Sequence, residues 1–235
     1  MATYLLVHGA WHSGQVWERV VPLLAAEGHR VYAPSLTGHG EKAHLLGPGV
    51  GLDTHVDDIV RLITDEDLTE VVLVGHSYAG LVVSAVANQV PDRIGHLVHL
   101  DAMVPADGET AADIQPVSRA LIDRALASES GWRVPPLPEL PPPYGLFGVT
   151  DPADTAWLRG LLSDQSVRSF QQPVHLDNPA VHTIPRTHIH CVAHVPEGVV
   201  RRPVPATQQV WELPTGHDCM ITMPAELTGL LLKLG

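Results

Sequence analysis

Apolar residues along the chain keep two rhythms that take turns. Short, nearly unbroken runs at Thr3–Val7 (TYLLV), His29–Ala33 (HRVYA), Val71–Val74 (VVLV), Ile94–Leu100 (IGHLVHL), Arg186–Val192 (RTHIHCV) and Gln208–Leu213 read as buried strands. Between them apolar positions recur at helical spacing. Gln15–Ala26 carries Val16, Trp17, Val20, Val21, Leu23 and Leu24 and closes at Gly28; His55–Thr64 carries Val56, Ile59, Val60 and Ile63, with Thr54 placed to cap it. A third helix runs from just after Ser77 to about Val90, ahead of Pro91, and an amphipathic helix over Pro224–Leu234 closes the chain. Strands alternating with helices predict an α/β domain whose central sheet is mostly parallel and covered by helices on both faces. No internal repeat is evident.

The rhythm lapses between Pro105 and about Pro185. Prolines crowd the stretch from Val134 to Pro143, and only short helical patterns, around Ile122 and over Trp157–Leu162, interrupt it. The expected organisation is a core of residues 1–104 and 186–235, with residues 105–185 inserted as a lid. A proline run can be a linker or a ligand for an aromatic groove; its apolar flanks favour a rigid piece of the lid.

Composition narrows the partners. At 235 residues, 45% of them hydrophobic, the chain suits one domain with a full core, and no apolar run approaches a membrane span. A formal net charge of -12 disfavours nucleic acid and leaves a small molecule as the expected partner, with a homodimer open. The first residues lack a basic region followed by an apolar core and a small-residue cleavage site, so a cytoplasmic location is expected. Cys191 and Cys219 are too few to staple a fold and are expected as buried thiols.

The candidate chemistry centres on VVLVGHSYAGLVV, Val71–Val83. A buried strand stops at Gly75 and a helix starts after Ser77, so Ser77 occupies an abrupt turn whose neighbours must be nearly free of side chain. Gly75 and Ala79 meet that need: this is G-x-S-x-G, the nucleophile elbow, with Ala in the last place. Gly-His-Ser could also be an ordinary turn; the strand before, the helix after and the partner motifs favour the elbow. In a parallel sheet, residues just past the strand ends converge on one edge. His8 to His12, Ser77, Asp101, His194 and His217 all lie just past a predicted strand. Ser77 needs a base, and the base needs a carboxylate. His217 follows the final strand and the nucleophile, which makes it the best base among fifteen histidines; His76 is read as structural. The backbone N–H groups of Ala10 and Tyr78 are the expected oxyanion donors.

His8-Gly9-Ala10-Trp11-His12, Gly75-His76-Ser77-Tyr78-Ala79-Gly80, His99 to Pro105 and Thr215-Gly216-His217-Asp218 together resemble the small esterases of the α/β-hydrolase fold. The chain is most similar to a bacterial branch related to plant methyl esterases and hydroxynitrile lyases. The resemblance spans nearly the whole chain, is weakest in the lid and does not specify a substrate. It implies a catalytic Asp after the penultimate strand, where this chain has His194. Asp101, which ends a buried strand at the same edge, is the favoured acid, and Glu197 the alternative.

Three functions follow as expectations. The first is a Ser-His-Asp hydrolase that opens a carboxylic ester, or a thioester, of a small apolar molecule through an acyl-enzyme, with Trp11, His12, Tyr144 and Trp157 contacting substrate and with Trp132 and Phe147 in the same lid. The second is a lyase or cyclase using His217 as base; hydroxynitrile lyases of this lineage carry lysine after that histidine, where this chain has Asp218. The third is a ligand-binding protein on a hydrolase scaffold. No cofactor is expected. His188, His190 and His194 could approach a divalent ion, but no carboxylate or cysteine completes a recognisable ligand spacing except Cys191, which would point to the opposite face, so no metal is expected.

Overall fold

The computed structural model describes residues 1–235. Its strands are β1 (Thr3–Val7), β2 (Arg30–Tyr32), β3 (Val71–His76), β4 (Ile94–Leu100), β5 (Arg133–Val134), β6 (Gln165–Ser166), β7 (Arg186–Cys191) and β8 (Gln209–Leu213). Six of them form one sheet in the order β2-β1-β3-β4-β7-β8, every neighbouring pair parallel. β5 and β6 pair antiparallel on their own. The strand order reverses between β1 and β3, and at such a switch point loops leaving adjacent strands diverge and open a crevice at the carboxyl edge.

Side chains alternate across each strand, and this divides the core in two. The helices are α1 (Val21–Ala26), α2 (Leu52–Asp65), α3 (Ala79–Gln89), α4 (Ala111–Ile114), α5 (Val117–Leu126), α6 (Pro152–Leu161), α7 (Val167–Gln171), α8 (Cys219–Thr222) and α9 (Pro224–Leu231). Leu5, Val7, Val71, Leu73 and Leu97 point to one face and pack with Val56, Ile59 and Ile63 of α2 and Leu81 to Val83 of α3. Tyr4, Leu6, Val72, Val74, Val98 and Leu100 point to the other and pack with α1, α8 and α9 through Leu24, Met220, Leu227 and Leu231. Fully burying each such side chain contributes about 1.5–3 kcal/mol, so both faces need their helices. The segment between β4 and β7 reaches both cores, through Ile122 and Phe170 on one side and Leu158 on the other.

Two expectations need correcting. The first helix does not run through Gln15–Ala26: a 3-10 turn spans Gly14–Trp17, and α1 begins at Val21 with Pro22 in its first turn. A proline ring has no N–H to bond back and collides with the preceding turn, so an unbroken helix cannot pass through it. Thr54 is not the cap of α2 either. The helix starts at Leu52 with Gly51 before it, and Thr54 in its first turn accepts the Gly51 N–H at 3.2 Å. No helix is long and apolar enough to cross a membrane. Cys191 and Cys219 are free and buried.

Candidate active site

β3 runs straight to His76, and the chain then reverses at Ser77, whose φ is +56°. A left-handed residue with a side chain costs about 1–3 kcal/mol and persists only where its surroundings hold it. Here the Ser77 N–H donates to Leu100 O at 3.2 Å, and the Ser77 carbonyl accepts from Gly80 N at 3.1 Å and Met103 N at 3.0 Å. The crowding explains the glycines. A Cβ on Gly75 would lie 2.6 Å from Val83 Cγ2, and one on Gly80 would run into the Met103 carbonyl. Ala79 fits the motif's last place because the closest backbone approach falls one residue later, on Gly80.

Asp101, directly after β4, is also left-handed, with φ +42°, and its N–H donates to Ile189 O at 2.7 Å. Its Oδ2 accepts from His217 Nδ1 at 2.7 Å, and its Oδ1 accepts from Cys191 N at 3.2 Å and Arg201 Nη2 at 2.8 Å. Burial works to raise the Asp101 pKa, but the His217 hydrogen bond and charge, with Arg201, outweigh it and hold the carboxyl well below its usual range. Burial likewise works to lower the His217 pKa, and Asp101 and Asp218 overcome it, so the imidazole ends above its usual value. With Nδ1 donating to Asp101, the neutral ring keeps its lone pair on Nε2. His217 and Ser77 line one cavity, where the Ser77 hydroxyl makes no hydrogen bond to His217 or to any other group of the protein. Glu197 and His194 lie exposed on that cavity's rim, His194 with φ +53°. Of the two candidate acids, only Asp101 hydrogen-bonds His217.

The expected oxyanion donors come from two turns, Ala10 after β1 and Tyr78 after β3. The N–H groups of Ala10 and Tyr78 have no acceptor within the protein, and both residues line the cavity. Directly after Ala10, Trp11 sits at φ +66° and is tied to the inserted segment three times. Its N–H donates to Gln165 Oε1 at 3.2 Å, its carbonyl accepts from Ser163 N at 2.9 Å, and its indole N–H donates to Val134 O at 3.0 Å. The Tyr78 hydroxyl meets His55 Nδ1 at 2.9 Å behind the turn.

The cavity, about 530 Å³, is walled largely by apolar side chains, among them Met103, Ile114, Leu121, Tyr144, Phe147 and Phe170. Trp11 and Tyr144 line it. His12 and Trp157 do not. His12 is buried against Asp218 and the Ala10 carbonyl, while Trp157 faces the second core with the Arg19 guanidinium 5.5 Å from its ring centroid. Trp132 stacks under its neighbour Arg133. His188, His190 and His194 all reach the cavity without gathering: His188 bonds Gln208 at 2.7 Å and stacks on His99. The donor atoms that do gather, within 4.8 Å, belong to His76, His217 and Asp218, and each of these side chains is engaged in a hydrogen bond to another part of the protein.

Two contacts carried no sequence signal. Arg201 sits in a loop without periodicity and reaches Asp101 across 100 residues; Gln165 fixes Trp11 from within the insertion. The insertion also abuts the His217 loop. Gly148, at φ +85°, faces Gly216 so closely that a Cβ on Gly148 would lie 2.5 Å from Gly216 Cα and 2.6 Å from His217 N.

Residues 4–229 match the alpha/beta hydrolase family. The chain is 34% identical over 252 aligned residues to a carbendazim hydrolyzing esterase of Nocardioides sp. (strain SG-4G), with 100% of both chains covered. It is 36% identical over 104 residues to Methylesterase 2 of Arabidopsis thaliana, covering 43% of this chain and 40% of the plant protein. An extracellular alpha/beta-hydrolase from a Paenibacillus species, described as sharing structural and functional homology with tobacco salicylic acid binding protein 2, superposes with a TM-score of 0.78. That match covers 100% of this chain and 99% of the other at 23% identity, and it speaks for the fold alone.

Proposed function

The chain belongs to the alpha/beta hydrolase family, and on that footing we propose that it hydrolyses a carboxylic ester, or thioester, of a small and largely apolar molecule. Ser77 Oγ attacks the carbonyl carbon while His217 Nε2 takes its proton. The C=O electron pair moves onto oxygen, where the Ala10 and Tyr78 N–H groups receive it. Collapse expels the alcohol, or thiol, which takes the proton from His217, and an acyl-Ser77 remains. Water, deprotonated by the same nitrogen, then releases the acid and restores the serine. Asp101 keeps the imidazole in the tautomer that accepts at Nε2 and stabilises the imidazolium. Residues 105–185 act as the lid that shapes the apolar walls.

The observation that carries this reading is the 2.7 Å bond from His217 Nδ1 to Asp101, which leaves Nε2 for the cavity that Ser77 lines. An unliganded site commonly leaves the serine–imidazole contact open until substrate arrives. The names of the esterase relatives support ester chemistry. Asp218, directly after His217, is fully buried and does not line the cavity, so it offers a leaving group nothing.

The test is labelling with a fluorophosphonate followed by turnover of p-nitrophenyl esters of graded chain length. Stoichiometric modification of Ser77 with ester turnover is expected. A protein that stays unlabelled and binds the esters without cleaving them would be a receptor, and the proposal would fail.

A further inference from the structure

Asp218 is completely buried, yet only one side chain donates a hydrogen bond to it: His12 Nε2 lies 2.8 Å from its Oδ2. The other ring nitrogen of His12 lies 2.7 Å from the Ala10 carbonyl oxygen. A carbonyl oxygen can only accept, so Nδ1 carries a proton. Were Nε2 bare, its lone pair would face a carboxylate oxygen at hydrogen-bond distance inside the protein, an arrangement repelled by both charge and lone pairs. One further proton therefore sits between His12 Nε2 and Asp218 Oδ2. The pair is 2% and 0% exposed.

What this pair connects gives it a role. Through His12 it holds the carbonyl of Ala10, the residue whose own N–H is the first oxyanion donor. Asp218 follows His217 in the chain, and its N–H is held by Phe147 O at 2.9 Å. Its second oxygen, Oδ1, has no hydrogen-bond partner and lies 3.7 Å from His76 Nε2, which in turn meets the His217 carbonyl at 3.1 Å. The turn after β1 and the turn after β8 are thus tied by a single buried hydrogen bond between His12 and Asp218, neither of which lines the cavity.

We propose that His12 and Asp218 form a charged positioning pair that fixes the oxyanion turn relative to His217 and keeps a negative charge behind the imidazole. The proposal deepens the hydrolase reading and rests on it for the catalytic consequence, though not for the proton. The titratable groups facing the pair are His76 and His217 on one side, with Asp101 and Arg201 beyond His217, His8 and His39 on the other, and the Cys219 thiol next to Asp218 in the chain. The Phe147 ring, 4.9 Å from that of His12, closes the remaining side.

Two measurements test it. In protein labelled with 15N-histidine, His12, assigned by the signals lost in His12→Asn, is expected to show both ring N–H protons of an imidazolium at pH 7.5. This needs no turnover, so it stands or falls separately from ester hydrolysis. Asp218→Asn then removes the charge and keeps the shape, since the amide N–H can donate to a neutral Nε2. For this variant kcat is expected to fall about tenfold with KM within about twofold, and the acid limb of kcat/KM to move to lower pH because the imidazolium of His217 loses a neighbouring anion. A His12 ring with one protonated nitrogen would overturn the pair. A folded Asp218→Asn protein whose acid limb stays in place, whether or not Tm drops, would reduce the contact to packing and overturn its role.

Discussion

The carboxyl edge of the sheet and the segment inserted between β4 and β7 are built on opposite principles. At the edge, Trp11, Ser77 and Asp101 are left-handed residues with side chains, each held by backbone hydrogen bonds from neighbouring strands or loops, and the acids there, Asp101 and Asp218, are largely buried and hydrogen-bond histidines. In the insertion the ion pairs Arg119–Asp113, Arg133–Asp164 and Arg159–Glu139 are solvent-exposed or nearly so, a kind that contributes about 0–1 kcal/mol each. The edge holds left-handed strain in three residues, whereas in the insertion Phe147, at φ +51°, is the one side-chain-bearing residue that carries it, and the rest supplies shape. Variants of the edge should therefore act on kcat and variants of the insertion on KM.

The sharpest way to break that division is at the edge itself. Ser77→Ala is expected to lower kcat about 10⁶-fold on p-nitrophenyl esters with KM little changed; residual turnover above about one per cent would place the nucleophile elsewhere. Next in size is Asp101→Asn, expected to lose about 10⁴ in kcat, against less than about threefold for Glu197→Gln. Steady-state rates of the two variants side by side decide which carboxylate serves His217. Because His217 must be neutral to act and its pKa is raised above the ordinary 6.5, the acid limb of wild-type kcat/KM is expected above that pH; a limb well below it would mean that Asp101 does not act on this ring.

Acid offers a third way to separate the regions. His8, His39, His55, His76 and His99 are all buried, and burial pushes their pKa values down, to about 3 for His39, His76 and His99 and about 4 for His55. The unfolded chain binds protons at these sites near pH 6.5 while the folded one does not. Their contribution to stability is therefore present above that pH and is lost as pH falls, by about 1.4 kcal/mol per pH unit for each. Tm should drop steeply between pH 6 and 4, with amide exchange rising at the carboxyl ends of β1 and β3, beside His8 and His76, before it rises in α5. A flat Tm over that interval would contradict the buried neutral histidines. The smallest effect belongs to the cavity wall: Leu121→Ala and Tyr144→Ala are expected to raise KM about three- to tenfold with kcat within about twofold. If kcat falls instead, the insertion shares in the chemistry and the contrast with the edge is lost.

How much of this could be read from residues depended on how local the cause was. β1, β3 and β4 are specified by their own β-branched and aliphatic runs, and the Ser77 turn by glycines within three residues of it. Asp101 is recognisable as an edge residue because it ends such a run. The first helix was misjudged from a local signal given too little weight, since Pro22 lies in the middle of an otherwise regular pattern. His12 and Trp157 show the real limit. Their types suit a binding site, but whether a side chain meets the cavity or the core depends on how α6 and the β8 loop dock, and no periodicity encodes that. Arg201 is the extreme case: its partner is 100 residues away and its own loop has no pattern.

The face-to-face glycines at 148 and 216 bear on redesign. With no room for even a methyl group between the two backbones, the 145–149 turn and the His217 loop behave as one rigid unit, and any attempt to widen the pocket there would drag the imidazole with it. Latitude for altering the cavity lies along Ile114 to Leu121 and the 195–200 loop, where side chains can be exchanged without touching Ser77, His217 or Asp101.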